Sequence, residues 1–204
     1  MQDHNAARPN RSPGHIISDL REGNRRFALG LSSLADSSPQ RRAALASGQS
    51  PSIAVLSCSD SRVPPELVFD QGLGHLFVVR VAGNVVDDAV LGSLQYAVQH
   101  LGVKMIIVLG HSACGAVTGA CSRDCEDLDP ATYRLLQAIE PAAEAARAQC
   151  GITDELVDTA ARINIEEQTR VLTKNALIGQ AVAEGLLTIQ GAWYELRTGL
   201  VEWL

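Results

Sequence analysis

The sequence predicts an α/β fold: a mostly parallel central β-sheet flanked by helices, with N-terminal helical arms and a C-terminal strand and hairpin. Three short apolar runs, bounded by turn residues, lie at 53–57, 75–81 and 104–109. Each is apolar at consecutive positions, which is typical of parallel strands covered on both faces. Between the second and third runs, apolar residues recur at three- and four-residue steps over 86–101. This spacing predicts a helix and completes a βαβ unit.

The N-terminal part of the chain is expected to lie outside this sheet. Residues 1–13 are polar and predict a flexible leader, and residues 14–47 predict a helical arm. Within the arm, apolar residues recur at helical intervals over 15–29, and a second helix is expected over 40–46. Both helices have narrow apolar faces and many charges, so we expect them to be peripheral and to pack on a partner subunit.

The last third of the chain has a helical pattern that gives way to a strand. The pattern is interrupted at Pro141 and near Gly151, and it resumes at Thr153, which we expect to cap the next helix. From Leu186 onward the pattern changes to a strand and a terminal hairpin, with the turn at Gly199. No repeat or linker interrupts the chain, so residues 1–204 are predicted to form a single domain.

The composition excludes several classes of protein. The chain is 46% hydrophobic and 20% charged, an ordinary balance for a globular protein. A formal charge of −6 without clustered Lys and Arg argues against nucleic acid as a partner. No apolar run approaches the roughly 20 residues that cross a bilayer, and the polar N-terminus does not resemble a secretory signal. Five unevenly spaced cysteines make a poor disulfide framework. We therefore expect a cytoplasmic protein with no membrane association.

Two clusters of metal-ligating residues follow predicted strands. Cys58 comes directly after the first strand, and His111 and Cys114 come after the third. Because the carboxyl ends of parallel strands share one crevice, these side chains are expected to meet. Two thiolates and an imidazole suit Zn²⁺, and three protein ligands leave a fourth position for water.

Asp60 and Arg62 lie beside the first cluster and predict a gate. The carboxylate of Asp60 can reach the same metal and fill the fourth position, or Arg62 can hold it in a bidentate pair. With Asp60 held off, zinc lowers the pKa of its bound water to about 7 and makes hydroxide available. With Asp60 bound, the site is blocked.

Each cluster taken alone is a weak signal. A buried Cys near an Asp–Arg ion pair is common without any metal, and a structural zinc site would need a fourth protein ligand. Two such clusters, each at the end of a predicted parallel strand, favour a catalytic metal site.

The two clusters and their surroundings resemble the β-class carbonic anhydrases. The matching segments are CSDSRVPPELVFDQGLGHLFVVRVAGNVV and IIVLGHSACGAV, and weaker similarity continues to GAWYELRTGLVEW. The resemblance implies zinc held by Cys58, His111 and Cys114, with Asp60 and Arg62 as the gating dyad. It also implies reversible hydration of CO₂ to bicarbonate and a proton, by attack of zinc-bound hydroxide.

The resemblance further implies a substrate pocket and a dimer. Gln49, Phe77 and Tyr96 match the pocket residues, and the main-chain N–H of Gly115 matches a donor that places the substrate. Two aromatic walls suit an uncharged molecule such as CO₂, and two N–H donors suit the negative charge that develops on its oxygens. In the family, helical arms embrace the neighbouring subunit and both chains line each site, so we expect a homodimer or a dimer of dimers.

The chain departs from some family members at a regulatory bicarbonate pocket. Arg80 and Tyr194 match two of its residues, but the position of its Trp is Val55. We therefore expect no such regulation, and a structural role for Arg80 and Tyr194.

Other cysteines and histidines carry weaker expectations. Cys121 and Cys125 are either free or buried thiols or a redox-sensitive pair, and Cys150 is expected to be inert. The proton relay that the reaction requires could use Tyr96, the dyad or a histidine such as His75 or His100, if that ring faces the cleft.

Two alternative functions remain open at this point. Carbonyl sulfide and carbon disulfide hydrolases share the scaffold, and pocket shape would decide between the substrates. The other alternative is a non-catalytic, zinc-stabilised binding protein in which Asp60 never leaves the metal.

Overall fold

The computed structural model describes residues 12–32, 37–122 and 128–204. The helices are α1 (Pro13–Ala28), α2 (Pro39–Leu45), α3 (Pro65–Val68), α4 (Asp88–Leu101), α5 (Gly115–Ser122), α6 (Pro130–Gln137), α7 (Glu140–Cys150), α8 (Leu156–Lys174) and α9 (Ala176–Ala183). The strands are β1 (Ile53–Ser57), β2 (Leu76–Arg80), β3 (Met105–His111), β4 (Thr188–Tyr194) and β5 (Val201–Trp203). Across these three stretches of chain, no helix is both long enough and apolar enough to cross a bilayer.

The strands form one sheet in the order β2-β1-β3-β4-β5. The first four are mutually parallel, and β5 runs antiparallel to β4. Ser57, the last residue of β1, pairs with Leu109 of β3, so the next residue of each strand emerges at the same edge. The mostly parallel α/β sheet with a terminal hairpin, predicted from the sequence, is confirmed.

Alternate side chains of β1 enter two separate cores. Ala54 and Leu56 face the side covered by α4, α5, α7 and α8, whereas Ile53 and Val55 face the side covered by α1 and α3. Every residue of β1 and β3 is buried. The continuous apolar runs therefore reflect a sheet covered on both faces, as the sequence pattern indicates.

The two N-terminal helices differ in how they attach. α1 begins at Pro13, at the end of the expected leader, whose residues 1–11 lie outside the described chain. It buries Ile16 and Leu20 against its own sheet, so the expectation that it is peripheral is wrong for this helix. Asn24 adds donors to the carbonyls of Val68 and Gly199. α2 has no buried residue and fits the peripheral role.

The C-terminal helices correct one expected boundary. α8 begins at Leu156 after Glu155, and no side chain caps it, so the prediction of Thr153 as its N-cap is wrong. The carbonyl of Thr153 instead accepts the Leu156 N–H at 3.1 Å. Pro141 lies in the first turn of α7, where a missing N–H costs nothing. Gly199, at φ 73°, makes the turn before β5 as expected.

Candidate metal centre

Three buried side chains converge where β1 and β3 end. Cys58 follows β1, His111 is the last residue of β3, and Cys114 immediately precedes α5. One ligand atom from each lies within 4.8 Å of the other two, and the two Sγ atoms are 3.9 Å apart. Cys58 is 53 or more positions away from the other two residues in the sequence. The prediction that the three side chains meet is confirmed.

His111 is oriented by its neighbours so that one ring nitrogen is left for a ligand. Its Nδ1 lies 2.9 Å from the carbonyl of Ser112, which can only accept, so Nδ1 carries the proton. Ser112 is itself held by three hydrogen bonds. Its N–H donates to the Tyr194 carbonyl, its hydroxyl donates to the Glu195 carboxylate, and the same hydroxyl oxygen accepts the Leu196 N–H. Nε2 of His111 is buried beside Cys58 and makes no hydrogen bond of normal geometry to any described residue. A histidine held in this way presents Nε2 as a metal ligand.

The two cysteines form a hydrogen-bonded pair that favours ionisation of one sulfur. The Cys114 thiol, acting against burial, lowers the pKa of Cys58 to about 4. The same contact, together with burial, raises the pKa of Cys114 far above its ordinary value. Backbone N–H groups of Asp60 and Gly83 point at Cys58 Sγ, at 3.4 and 3.3 Å. The pair therefore carries one negative charge readily, and a divalent cation between the sulfurs would stabilise a second.

These features fit zinc. Two sulfurs and one imidazole nitrogen are a donor set that this ion prefers, and the ion would supply the missing partner of His111 Nε2. The main-chain N–H groups of Ala116 and Val117, in the first turn of α5, also point at Cys114 and stabilise its thiolate.

Asp60 is held by Arg62 at the edge of the cluster. The guanidinium donates from Nε to Oδ1 at 2.9 Å and from Nη2 to Oδ2 at 2.7 Å. The hydrogen bond from Arg62 keeps the pKa of Asp60 well below its usual range. Asp60 Oδ2 lies 4.0 Å from Nε2 of His111. The carboxylate is thus ionised, paired with Arg62 and close to the ligand atoms.

The loop that carries Cys114 is pinned by a residue that the sequence analysis did not identify. Ala113 has a φ of 51°, in the left-handed region that a Cβ disfavours. Its N–H donates to Oδ1 of Asp158 on α8 at 3.0 Å, and its carbonyl lies 3.4 Å from Nη2 of Arg62. No local sequence signal connects Asp158 with Ala113, which is 45 residues away.

Arg80 and Tyr194 have structural contacts in this chain. Arg80 donates from Nε to the Cys58 carbonyl at 3.0 Å and from Nη2 to the Asp60 carbonyl at 2.5 Å. Tyr194 is buried, with its ring 6.4 Å from that of Phe27. These contacts agree with the structural role expected for both residues.

The predicted substrate residues occupy three different places. Gln49 is exposed between α2 and β1, and Gly115 is exposed at the start of α5, next to Cys114. Phe77 on β2 and Tyr96 on α4 lie together, with ring centroids 6.5 Å apart, and His100 lies 5.0 Å beyond Tyr96. Tyr96 is 49% exposed. The structure brings Phe77 and Tyr96 together, and the roles of all four residues stay predictions.

The remaining thiols are only partly described. Cys121 and Cys150 are free and half-buried against the larger core. Burial raises the pKa of the Cys121 thiol, which makes it less reactive. Cys125 lies outside the described residues, so the expected alternatives for the Cys121–Cys125 pair stay predictions.

Comparison with known proteins gives consistent similarities. A family described as carbonic anhydrase matches residues 53–201. The chain is 39% identical to carbonic anhydrase 2 of Mycobacterium tuberculosis, over 94% of this chain and 92% of the relative. It is 38% identical to the carbonic anhydrase of Mycolicibacterium smegmatis, over 95% and 94%. A tetrameric β-carbonic anhydrase structure from Sordaria macrospora superposes with a TM-score of 0.76 at 30% identity, covering 93% of this chain and 97% of that one.

Proposed function

Because the chain belongs to the β-class of the carbonic anhydrase family, we propose that it catalyses the reversible hydration of CO₂. The reaction would depend on zinc bound at Cys58, His111 and Cys114. One observation supports the assignment of the site most strongly. The three buried ligand atoms lie within 4.8 Å of one another, and Nε2 of His111 makes no hydrogen bond of normal geometry to any described residue.

Cys58, His111 and Cys114 would hold the zinc ion. Bound there, zinc supplies a water molecule whose pKa is lowered to about 7, and hence a nucleophile at neutral pH. The protein contributes the fixed orientation of the imidazole through Ser112 and the N–H donors that stabilise the thiolates. This site needs no further protein ligand while Arg62 holds Asp60.

Asp60 and Arg62 would act as the gate and would orient water in the site. Arg62 keeps both carboxylate oxygens engaged, an arrangement that would hold Asp60 away from the metal. Oδ2 of Asp60 remains an acceptor at the edge of the cluster, 4.0 Å from His111 Nε2. An ionised carboxylate at that position can accept a hydrogen bond from water in the site and so orient it, whereas its lowered pKa makes it a poor acceptor for a proton. Release of Asp60 from Arg62 would close the site.

Gln49, Phe77, Tyr96 and the N–H of Gly115 would bind CO₂ or bicarbonate. The Phe77–Tyr96 contact supplies an apolar wall, and Gly115 lies beside Cys114 at a helix N-terminus, where a developing negative charge is stabilised. The exposure of Tyr96 and Gln49 is consistent with a pocket that is completed by a second subunit.

We propose a homodimer or a dimer of dimers. The absence of any buried residue in α2, a helix within the described part of the chain, leaves a surface for a partner. Leu29 and Leu31, just after α1, are 62% and 65% exposed. The Sordaria macrospora relative is described as tetrameric. Light scattering coupled to size-exclusion chromatography measures the state, and a monomer at micromolar concentration contradicts the proposal.

Stopped-flow CO₂ hydration on the wild type and on Asp60→Ala, with zinc measured on the same samples, tests the function. The wild type should bind one zinc per chain and turn over CO₂. Asp60→Ala should keep its zinc and lose about 100-fold in rate, a typical value when the reacting groups are no longer held in position. If both proteins bind one zinc per chain and neither turns over CO₂, the proposed function fails.

The two alternatives are separated by the same assay. The non-catalytic binding protein is set aside because the chain belongs to an enzyme family. Carbonyl sulfide and carbon disulfide are offered as competing substrates. If either compound is turned over faster than CO₂, it replaces CO₂ as the assigned substrate, and the proposed metal centre is unaffected.

A further inference from the structure

Two buried amide side chains on α8 connect this helix to the segment that follows β2. Asn164 and Gln168 are 1% and 4% exposed. Gln168 accepts the Val86 N–H at 2.8 Å and donates from Nε2 to Asn164 Oδ1 at 3.0 Å. Asn164 then donates from Nδ2 to the Gly83 carbonyl at 2.8 Å. Residues 83 and 86 are thereby tied to one helix.

The hydrogen-bonding capacity of the two ends fixes the direction of this chain. The Val86 N–H can only donate, so Gln168 must present its oxygen there. The Gly83 carbonyl can only accept, so Asn164 must present its nitrogen. The remaining nitrogen of Gln168 and oxygen of Asn164 then face each other as donor and acceptor. Because the pair is buried, removing one member leaves backbone groups unpaired and is costly.

Gly83 connects this series of hydrogen bonds to the metal centre. Its N–H lies 3.3 Å from Cys58 Sγ. Gly83 has a φ of 67°, and the next residue, Asn84, has a φ of 45°, so the backbone turns sharply here. A Cβ on Gly83 would lie 2.5 Å from Cδ1 of Ile139. The turn depends on contacts from outside the segment to hold its donor on the sulfur.

We propose that Asn164 and Gln168 are positioning residues of the metal centre: through the Gly83 carbonyl they hold the Gly83 N–H on the sulfur of Cys58 and so raise metal affinity. This rests on the proposed function, because it requires Cys58 to bind zinc. Neither side chain is one of the three ligands, so both act through the backbone. Groups that orient metal ligands in this way are typically worth 10- to 100-fold in metal affinity.

Asn164→Ala tests the proposal directly. Its zinc dissociation constant, measured by competition with a chromophoric chelator, should rise by about 10- to 100-fold. In the Co²⁺-substituted protein, the sulfur-to-metal charge-transfer band should move, because Cys58 loses a hydrogen bond. Leu172→Ala is the matched control: Leu172 is also fully buried on α8 but is no part of the hydrogen-bonded chain. It should lose stability and bind zinc within about twofold of the wild type, since Leu172 lies two turns of α8, about 12 Å along the axis, from Asn164.

Gln168→Met covers the case in which Asn164→Ala does not fold. It nearly preserves side-chain volume and removes the donor to Asn164, so it should weaken zinc binding in the same direction by a smaller factor. The proposal is overturned if the variants that fold bind zinc and cobalt as the wild type does, or if Leu172→Ala weakens binding equally. A wild type without a cobalt–thiolate band would instead overturn the proposed function and this inference with it.

Discussion

Asp158 on α8 accepts a hydrogen bond at 3.0 Å from the amide of Ala113, the residue between Ser112 and the proposed ligand Cys114. Ala113 adopts a left-handed conformation, with φ 51°. The same residue accepts a weaker contact from Arg62 through its carbonyl. The helix that closes the larger core therefore also fixes the loop between two of the proposed metal ligands.

Ala113→Gly should stabilise the protein. An alanine in the left-handed region destabilises the folded state by about 1–2 kcal/mol relative to glycine. Part of the gain on substitution is offset by the greater conformational entropy of glycine in the unfolded chain. We expect the free energy of unfolding to rise by up to about 1 kcal/mol, measured by urea denaturation of the zinc-loaded protein. Gly115→Ala, two residues further along the chain, is the reverse comparison at a position where an added Cβ meets nothing within 4 Å. A loss of stability in Ala113→Gly would contradict the backbone geometry at this loop.

Arg62→Ala should lower kcat by about 100-fold while the zinc content stays at one per chain, because a misplaced catalytic group typically costs this much. Without its bidentate partner, Asp60 is free to move toward the metal. Arg62→Lys keeps the charge but not the planar guanidinium, so its kcat should lie between those of the wild type and Arg62→Ala. Arg170→Ala removes an exposed arginine on α8 and serves as the control. Full activity in Arg62→Ala would contradict the gating role.

Gly83→Ala should destabilise the fold and weaken zinc binding. Its new Cβ would meet Ile139 Cδ1 at 2.5 Å and Ala116 Cβ at 3.3 Å, and overpacking of this kind costs about 1–3 kcal/mol. Gly92→Ala, in the middle of α4 with nothing within 4 Å, should raise stability by about 0.5–1 kcal/mol instead. Thermal unfolding of the two variants and chelator competition measure both effects. Equal melting temperatures for Gly83→Ala and the wild type would rule out the tight packing around Gly83.

CO₂ hydration should be fast above neutral pH and should fall as the pH drops below about 7, the pKa that zinc imposes on water. Asp60 is not responsible for this fall. Arg62 holds its pKa below the ordinary value, so the contribution of the ion pair is present above pH of about 3.9 and is lost only as the pH falls further. The rate should therefore decline between about pH 8 and about pH 6, following the titration of a single group with a pKa of about 7. The zinc content should stay constant over this range. A flat profile would contradict the mechanism.

The convergence of the three proposed ligands was predictable from the sequence because it depends on a rule about strands. Continuous apolar runs indicate parallel strands, and the carboxyl ends of such strands meet. Cys58, His111 and Cys114 each lie at or just after a strand end, so their convergence followed without knowledge of side-chain positions.

The groups that support the ligands were not predictable in the same way. Asn164 and Gln168 are polar residues on a long helix, and nothing local distinguishes them from solvent-exposed ones until the helix is packed. Asn24 attaches α1 to the terminal hairpin through the carbonyl of Gly199, 175 residues away. Contacts of this range depend on the tertiary arrangement, which the periodicity of α1 alone does not encode.

Zinc K-edge X-ray absorption on the metal-replete protein and on Cys58→Ser tests the central claim, that two thiolates and one imidazole hold the ion. The wild type should show two sulfur ligands at about 2.3 Å and an imidazole nitrogen at about 2.0–2.1 Å, with a light atom completing the shell. Cys58→Ser should lose one sulfur. A wild-type spectrum without sulfur ligands, or a Cys58→Ser spectrum that retains two, would contradict the account.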